Sequence, residues 1–149
     1  MTLIRQLSKK NKFYIDKHAF YAAYHFALNY PSWKKQYAEL IGQAVRAVDY
    51  DDMPHSTGTG DPTSRIAMRS SVLSARIDTI ETLAVTAGGK WWRHLLYAVT
   101  HEGVTYTRLR MGMVRELGEM DWGKNQYYQS RRLFYFLLWE KIEESQLIS

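Results

Sequence analysis

The chain has 149 residues, of which 46% are hydrophobic and 14% aromatic, enough to bury a core and too many for an intrinsically disordered protein. It contains no cysteine, which excludes a disulfide framework and a thiolate metal site. No run of about 18 apolar residues occurs, and the N-terminus lacks the apolar segment of a signal peptide. The sequence therefore predicts a cytoplasmic protein that does not span a membrane.

The net charge of +5 comes from the N-terminal third of the chain. Residues 1–50 carry eight basic and three acidic side chains, residues 51–101 carry five of each, and residues 102–149 carry seven of each. Basicity of this size is compatible with a polyanionic partner and does not establish one. The basic residues 1–12 are predicted to form a solvated tail, with an arm on a nucleic-acid backbone or a short packed helix as the alternatives.

Two helices are predicted in the N-terminal half, over residues 13–29 and 32–48. In the first, one stripe at helical spacing contains Tyr14, His18, Tyr21, His25 and Leu28. Pro31 ends this helix or starts the next, because proline is tolerated in a first turn but not in an interior. His18 and His25 are seven residues apart, whereas a helical metal pair needs a spacing of three or four, so no metal site is predicted there.

The clearest interruption is residues 49–62, where Asp, Gly, Pro, Ser and Thr cluster without periodicity and predict a loop. A long helix follows over residues 63–86. Its apolar stripe, at near-heptad spacing, contains Ile66, Leu73, Ile77, Ile80 and Ala84. This stripe indicates packing within the molecule, with a dimer seam as the alternative. Gly88 and Gly89 end the helix, and residues 90–101 are predicted to form the next.

The C-terminal part is predicted to be a supporting helix over residues 105–117, a turn over 118–123, and a last helix from Lys124 to Ile142. The buried side of the supporting helix would contain Tyr106, Leu109, Met113 and Leu117. In the last helix, spacings of seven and four place Tyr127, Phe134 and Leu138 on one face. Beyond Leu133 the helix is apolar almost all round, so the N-terminal helices or a second subunit must cover it.

No strand pattern of comparable strength occurs. We predict an all-α fold of about six helices, in which N-terminal helices and a long central helix pack with a C-terminal trihelical helix-turn-helix unit. The expected organisation is an N-terminal helical segment and loop, residues 1–62, followed by the long helix and the helix-turn-helix unit, residues 63–149. Both parts are expected to form one compact domain.

The polar face of the last helix suits DNA. Its side chains can hydrogen-bond to base edges or phosphates while the apolar face packs against the rest of the protein, as in a helix-turn-helix recognition helix. The predicted base-reading residues are Asn125, Gln129, Arg132 and Tyr128. The predicted DNA-backbone contacts are Arg108, Arg110, Arg115, Lys124, Gln126 and Arg131. The helical spacing favours Arg132 over Arg131 as the arginine that faces DNA, and Tyr128 packs inward in an alternative register.

Four segments of the chain carry a family resemblance: FALNYPSWKKQYAEL, MPHSTGTGDPTSRIAMR, EGVTYTRLR and GKNQYYQSRRLFYFLL. In this order they resemble the small phage transcriptional regulators of the RinA and ArpU type. The resemblance implies a DNA-binding activator of bacteriophage or prophage late genes in the cytoplasm of a bacterial host, with a C-terminal part similar to region 4 of a sigma factor. By the motif match, the DNA-facing residues would be Lys124, Asn125, Gln126, Tyr128, Gln129, Arg131 and Arg132.

Other functions stay open on the sequence alone. A DNA-packaging protein of the small terminase type also uses small helical DNA-binding units and forms rings. An interaction module that binds RNA polymerase without touching DNA would use the aromatic last helix and the Trp91–Trp92 pair. An enzyme is not predicted, because the five histidines form no catalytic motif, and neither a cofactor nor a metal is expected. The expected partner is double-stranded DNA at a phage promoter or operator. Contact with host RNA polymerase and formation of a homodimer are left open.

Overall fold

The computed structural model describes residues 13–49 and 62–145, and these residues form helices and turns without strands. The helices are α1 (Lys17–Leu28), α2 (Tyr30–Asp49), α3 (Pro62–Gly88), α4 (Trp92–Thr100), α5 (Tyr106–Arg110) and α6 (Lys124–Ser145), with a 3-10 turn at Gly89–Trp91. The predicted all-α class is confirmed. Where about six helices were predicted, the described ranges form four long helices, α1, α2, α3 and α6, and two short ones, α4 and α5. The basic residues 1–12 and residues 50–61 of the predicted loop lie outside the described residues.

The junction between α1 and α2 follows from local sequence. The carboxylate of Asp16 accepts a hydrogen bond from the backbone N–H of Ala19 at 2.8 Å, which caps one of the free donors at the start of α1. Asn29 ends α1, and α2 begins at Tyr30. Pro31 therefore starts the second helix, in the first turn, where its missing N–H costs no intrahelical hydrogen bond.

The chain divides into two compact units. One contains the described residues of Met1–Asn29 and Thr79–Ser149, and the other those of Tyr30–Asp78. The predicted boundary between residues 62 and 63 falls inside the second unit. There the guanidinium of Arg69 donates to the Gln36 side chain at 3.3 Å, and Arg76 lies 5.2 Å from the centroid of the Trp33 ring. The earlier residue of α2, Trp33, contacts the later residue of α3, Arg76. The α2 helix and the first half of α3 therefore run in opposite directions.

The core of the first unit forms where α6 packs against α1 and α4. The face of α1 that is buried consists of Ala19, Ala23, Phe26 and Ala27. The predicted aromatic and histidine stripe of α1 is only half-buried or exposed, because small side chains allow a close approach that large rings would prevent. The rings lie at the edge of the contact, where Phe20 packs against Tyr135 with ring centroids 5.0 Å apart. The apolar end of α6 is thus covered by α1, which is one of the N-terminal helices predicted to cover it.

The predicted supporting helix is wrong beyond Arg110. The chain leaves the helix at Gly112, whose φ is +71°, and residues 111–123 form an irregular segment, referred to below as the α5–α6 connection. Met113, predicted to be buried, is 60% exposed. The buried apolar side chains of the connection are instead Val114, Met120 and Trp122. The predicted start of the last helix at Lys124 is confirmed. None of the helices in the two described ranges is both long enough and apolar enough to cross a bilayer.

Candidate nucleic-acid interface

The first turns of α6 are held in place by aromatic side chains. Tyr127 is buried, and its ring packs on Tyr106 and on Trp122, with both pairs of centroids 5.4 Å apart. The Tyr106 hydroxyl donates a hydrogen bond to the backbone carbonyl of Trp122, which ties α5 to the end of the connection. Phe134 and Leu138 continue the buried face, as the spacing predicted. The rotation of α6 about its own axis is therefore fixed by burial along one side.

The opposite side of α6 carries the predicted base-reading side chains. Asn125 and Gln129 are exposed, and Arg132 and Tyr128 are half-exposed. Asn125, Gln129 and Arg132 stand four and three residues apart, so they share one side of the helix. At a rise of about 1.5 Å per residue they span about 10 Å along the axis, which matches about three base-pair steps. Tyr128 lies beside the buried face, with its ring 5.0 Å from that of Tyr127.

Arg131 is placed differently from the other predicted backbone contacts. Its guanidinium lies against the ring of Tyr135, 5.7 Å from the centroid, and its Nε is buried without a hydrogen-bond partner among the described residues. Burial raises the pKa of the Tyr135 hydroxyl, and the charge of Arg131 opposes part of that shift. Arg131 therefore faces the aromatic core, and the more outward arginine is Arg132, as the helical spacing favours.

The remaining predicted backbone contacts are exposed. On α6 these are Lys124 and Gln126, and on the preceding segment they are Arg108, Arg110 and Arg115. Within the described part of the chain, none of the three arginines forms an ion pair with a carboxylate. Glu116, Glu119 and Asp121 are also exposed in this segment, so the arginines and acids balance there, and the excess positive charge lies on α6.

The connection before α6 is ordered by three contacts that the sequence pattern did not predict. His94, buried in α4, places its Nε2 3.2 Å from the carbonyl oxygen of Gly118. The N–H of Met120 donates to the carbonyl of Arg110 at 3.4 Å. The aliphatic chain of Glu119 packs against Gly112. These contacts fix the connection to α4 and α5, and so fix where α6 begins.

An exposed pair of methionines lies in this connection, and sequence reasoning missed it. Met111 is 66% exposed and lines a shallow concavity of about 390 Å³ with Tyr106, Thr107, Arg110 and Glu119. Met113 lies beyond Gly112 and is similarly exposed. The signal that could have found them is Gly112 itself, because glycine between two long side chains is the residue that most often ends a helix in the left-handed conformation.

Among residues 13–49 and 62–145, no group of three His, Asp or Glu side chains is arranged to hold a metal ion. No known protein family, curated protein or solved structure matches the chain.

Proposed function

We propose that the protein binds double-stranded DNA sequence-specifically, with the first turns of α6 in the major groove. The observation that carries the proposal is the division of α6 into two faces. Asn125, Gln129 and Arg132 stand on one side of a helix whose other side is immobilised by burial. An α-helix fits the major groove, where each base pair presents a distinct pattern of donors and acceptors. A fixed row of polar side chains can read such a pattern.

Each exposed side chain has a role that follows from its chemistry. Asn125 and Gln129 present an amide that pairs bidentately with adenine, and Arg132 presents the fork that pairs with guanine. Phosphate contacts come from α6 and from the segment before it, through Lys124, Gln126, Arg108, Arg110 and Arg115. Arg131 is left out of this set, because its guanidinium is occupied with Tyr135.

In this proposal α4, α5 and α6 form the trihelical unit, and α6 is the recognition helix. A compact helix-turn-helix joins its last two helices by about four residues, whereas here the longer α5–α6 connection joins them. The His94 contact with Gly118 and the Tyr106 hydrogen bond to Trp122 take the place of a tight turn, since they restrain the middle and the end of this connection. The unit is a helix-turn-helix with an extended connection.

The biological assignment is the activation of bacteriophage or prophage late genes in a bacterial cytoplasm. It rests on the resemblance of four segments to the regulators of the RinA and ArpU type. In that assignment the bound DNA is a phage promoter or operator.

The test is fluorescence anisotropy of the full chain against DNA fragments tiled across its genomic neighbourhood, at two salt concentrations and with random-sequence competitor. One fragment is expected to bind far more tightly than competitor, with affinity that falls steeply as salt rises. Gln129→Ala should cost about 1–3 kcal/mol on that fragment alone. Lys124→Ala should weaken binding to all fragments and reduce the salt slope by about one.

Lys141→Ala is the matched control for Lys124→Ala. Lys141 is an exposed lysine near the other end of α6, 3.8 Å from Glu144, and its loss should leave both affinity and salt slope unchanged. Absence of DNA binding by the unaltered chain at low salt would refute the proposal. Equal binding to every fragment would remove sequence recognition from it, and a mass of eight or more subunits would favour the packaging role.

A further inference from the structure

The turn that follows α5 presents two methionines among arginines. Met111 and Met113 are 66% and 60% exposed, and Arg108, Arg110 and Arg115 flank them without an ion pair in the described part of the chain. Large apolar side chains left in water forgo the stabilisation that burial would bring. Two such side chains on one turn offer a partner a small apolar contact surface.

The backbone of this turn is constrained from both sides. The N–H of Met113 donates to the carbonyl of Arg108 at 3.1 Å, and the N–H of Met120 donates to that of Arg110 at 3.4 Å. Gly112 has a φ of +71°, and a Cβ at this position would lie 2.9 Å from Cγ of Glu119. Because the backbone is fixed on either side of Gly112, the two methionine side chains leave it at fixed positions.

The turn lies close to the start of the recognition helix. Gly112 contacts Glu119, and Lys124, where α6 begins, is the fifth residue after Glu119. Since an extended chain covers at most about 3.6 Å per residue, this separation is at most about 18 Å. One turn of duplex DNA measures about 34 Å. The turn and the start of α6 therefore lie within the length of one helical turn of DNA.

We propose that this turn is a DNA-bending wedge. Met111 and Met113 insert between base steps of the duplex that α6 binds, and the flanking arginines hold the phosphates on either side. The proposal rests on the DNA binding proposed above. Methionine is one of the apolar residues that minor-groove architectural proteins insert between base steps, with a kink of about 20–90°, so the wedge enters the minor groove next to the major groove that α6 occupies. Glu116, Glu119 and Asp121 lie in the same segment and balance the charge of its three arginines. The proposed phosphate contacts therefore come from individual arginine side chains and not from a net positive charge.

The test measures the bend of the bound DNA fragment by energy transfer between dyes at its two ends. The unaltered chain is expected to bend the fragment by about 20–90°. The double variant M111A/M113A is expected to bind the same fragment and to lose most of the bend. M111L/M113L keeps two apolar side chains of similar volume and is expected to restore the bend. Both variants change exposed side chains only, so circular dichroism should show an unchanged helix content.

Met68→Ala is the matched control, because Met68 is a methionine of equal exposure, 69%, on α3, and its loss should change neither affinity nor bend. An unchanged bend in M111A/M113A, or straight DNA bound by the unaltered chain, overturns the wedge and leaves the proposed function intact. Failure of the unaltered chain to bind DNA overturns both. If the bound DNA is straight and a polymerase subunit binds the unaltered chain but not M111A/M113A, the turn is a protein-binding surface and the wedge is wrong.

Discussion

Replacing Gly112 by alanine should destabilise the protein more than the same change at Gly118. Both glycines have a left-handed φ, +71° and +70°. Their surroundings differ: a Cβ at Gly112 would lie 2.9 Å from Cγ of Glu119 and 3.2 Å from its backbone nitrogen, whereas a Cβ at Gly118 would meet nothing within 4 Å. Gly118→Ala therefore measures the backbone conformation alone, and Gly112→Ala measures the conformation together with the close approach of Glu119.

The two costs can be estimated separately. A left-handed conformation costs an L residue about 1–2 kcal/mol, and the smaller entropy of the unfolded alanine chain returns about 0.4–1 kcal/mol. Gly118→Ala should thus lower the free energy of unfolding by about 1 kcal/mol. Gly112→Ala adds overpacking against Glu119, which typically costs about 1–3 kcal/mol. Its total is about 2–4 kcal/mol, or a fall in Tm of about 6–12 °C for a chain of this length.

Urea unfolding followed by tryptophan fluorescence is the assay, because Trp122 is buried at the end of the same connection. The midpoint should shift at an unchanged m value. Adding Glu119→Ala to Gly112→Ala removes the Cγ atom and should recover part of the loss, so the two changes should not be additive. Equal losses for Gly112→Ala and Gly118→Ala would refute the close approach of Glu119 to the turn.

Three further predictions concern the aromatic core around α6. Burial raises the pKa of Tyr127 to about 12, so the unfolded chain releases this proton from about pH 10 while the folded chain keeps it. The free energy of unfolding, measured in urea at stepped pH, should therefore stay constant below pH 10 and fall by about 2–3 kcal/mol by pH 12. Tyr127→Phe should abolish this part of the fall. Tyr106→Phe loses the hydrogen bond to the Trp122 carbonyl and should lower the free energy of unfolding by about 1 kcal/mol. Tyr135→Phe removes a buried hydroxyl without a hydrogen-bond partner of normal geometry among the described residues, so it should be neutral or stabilising. A lower Tm for Tyr135→Phe would contradict this. Phe134→Ala empties a fully buried site and should cost about 3–5 kcal/mol in denaturant unfolding, so a loss below about 1 kcal/mol would show that Phe134 is not in the core.

Periodicity predicted the long helices well, because each repeats its apolar residues over many turns. In α3 the predicted stripe contributes Leu73, Ile77, Ile80 and Ala84 to the buried residues. The start of α6 followed from Gly123 and from the spacing of Tyr127 and Phe134. These features are local, so the amino-acid order alone carries them.

Two features escaped prediction because tertiary contacts decide them. A lone glycine within a helical pattern is compatible with a continuous helix, and the pattern of Tyr106, Leu109 and Met113 continued past Gly112. The helix ends there with Gly112 in the left-handed conformation, and the returning chain brings Glu119 against Gly112, a contact that the local sequence does not show. In α1 the large rings formed the more visible pattern, yet the alanines make the close contact, since the separation of two packed helices depends on both partners.

The buried apolar residues of α6 determine which of its side chains lie on the exposed polar face. Spacing favoured Arg132 over Arg131 as the DNA-facing arginine but did not fix the register, since adjacent residues differ by about 100° around a helix. A rotation of α6 by one residue would move Phe134 out of the core, at a cost of about 1.5–3 kcal/mol for its exposure, and would separate Tyr127 from Tyr106 and Trp122. The buried aromatic residues therefore select one rotation of α6. In that rotation the guanidinium of Arg131 lies on Tyr135 and Gln129 is exposed. The register of the proposed DNA-reading face is thus set by the packing energy of the opposite face.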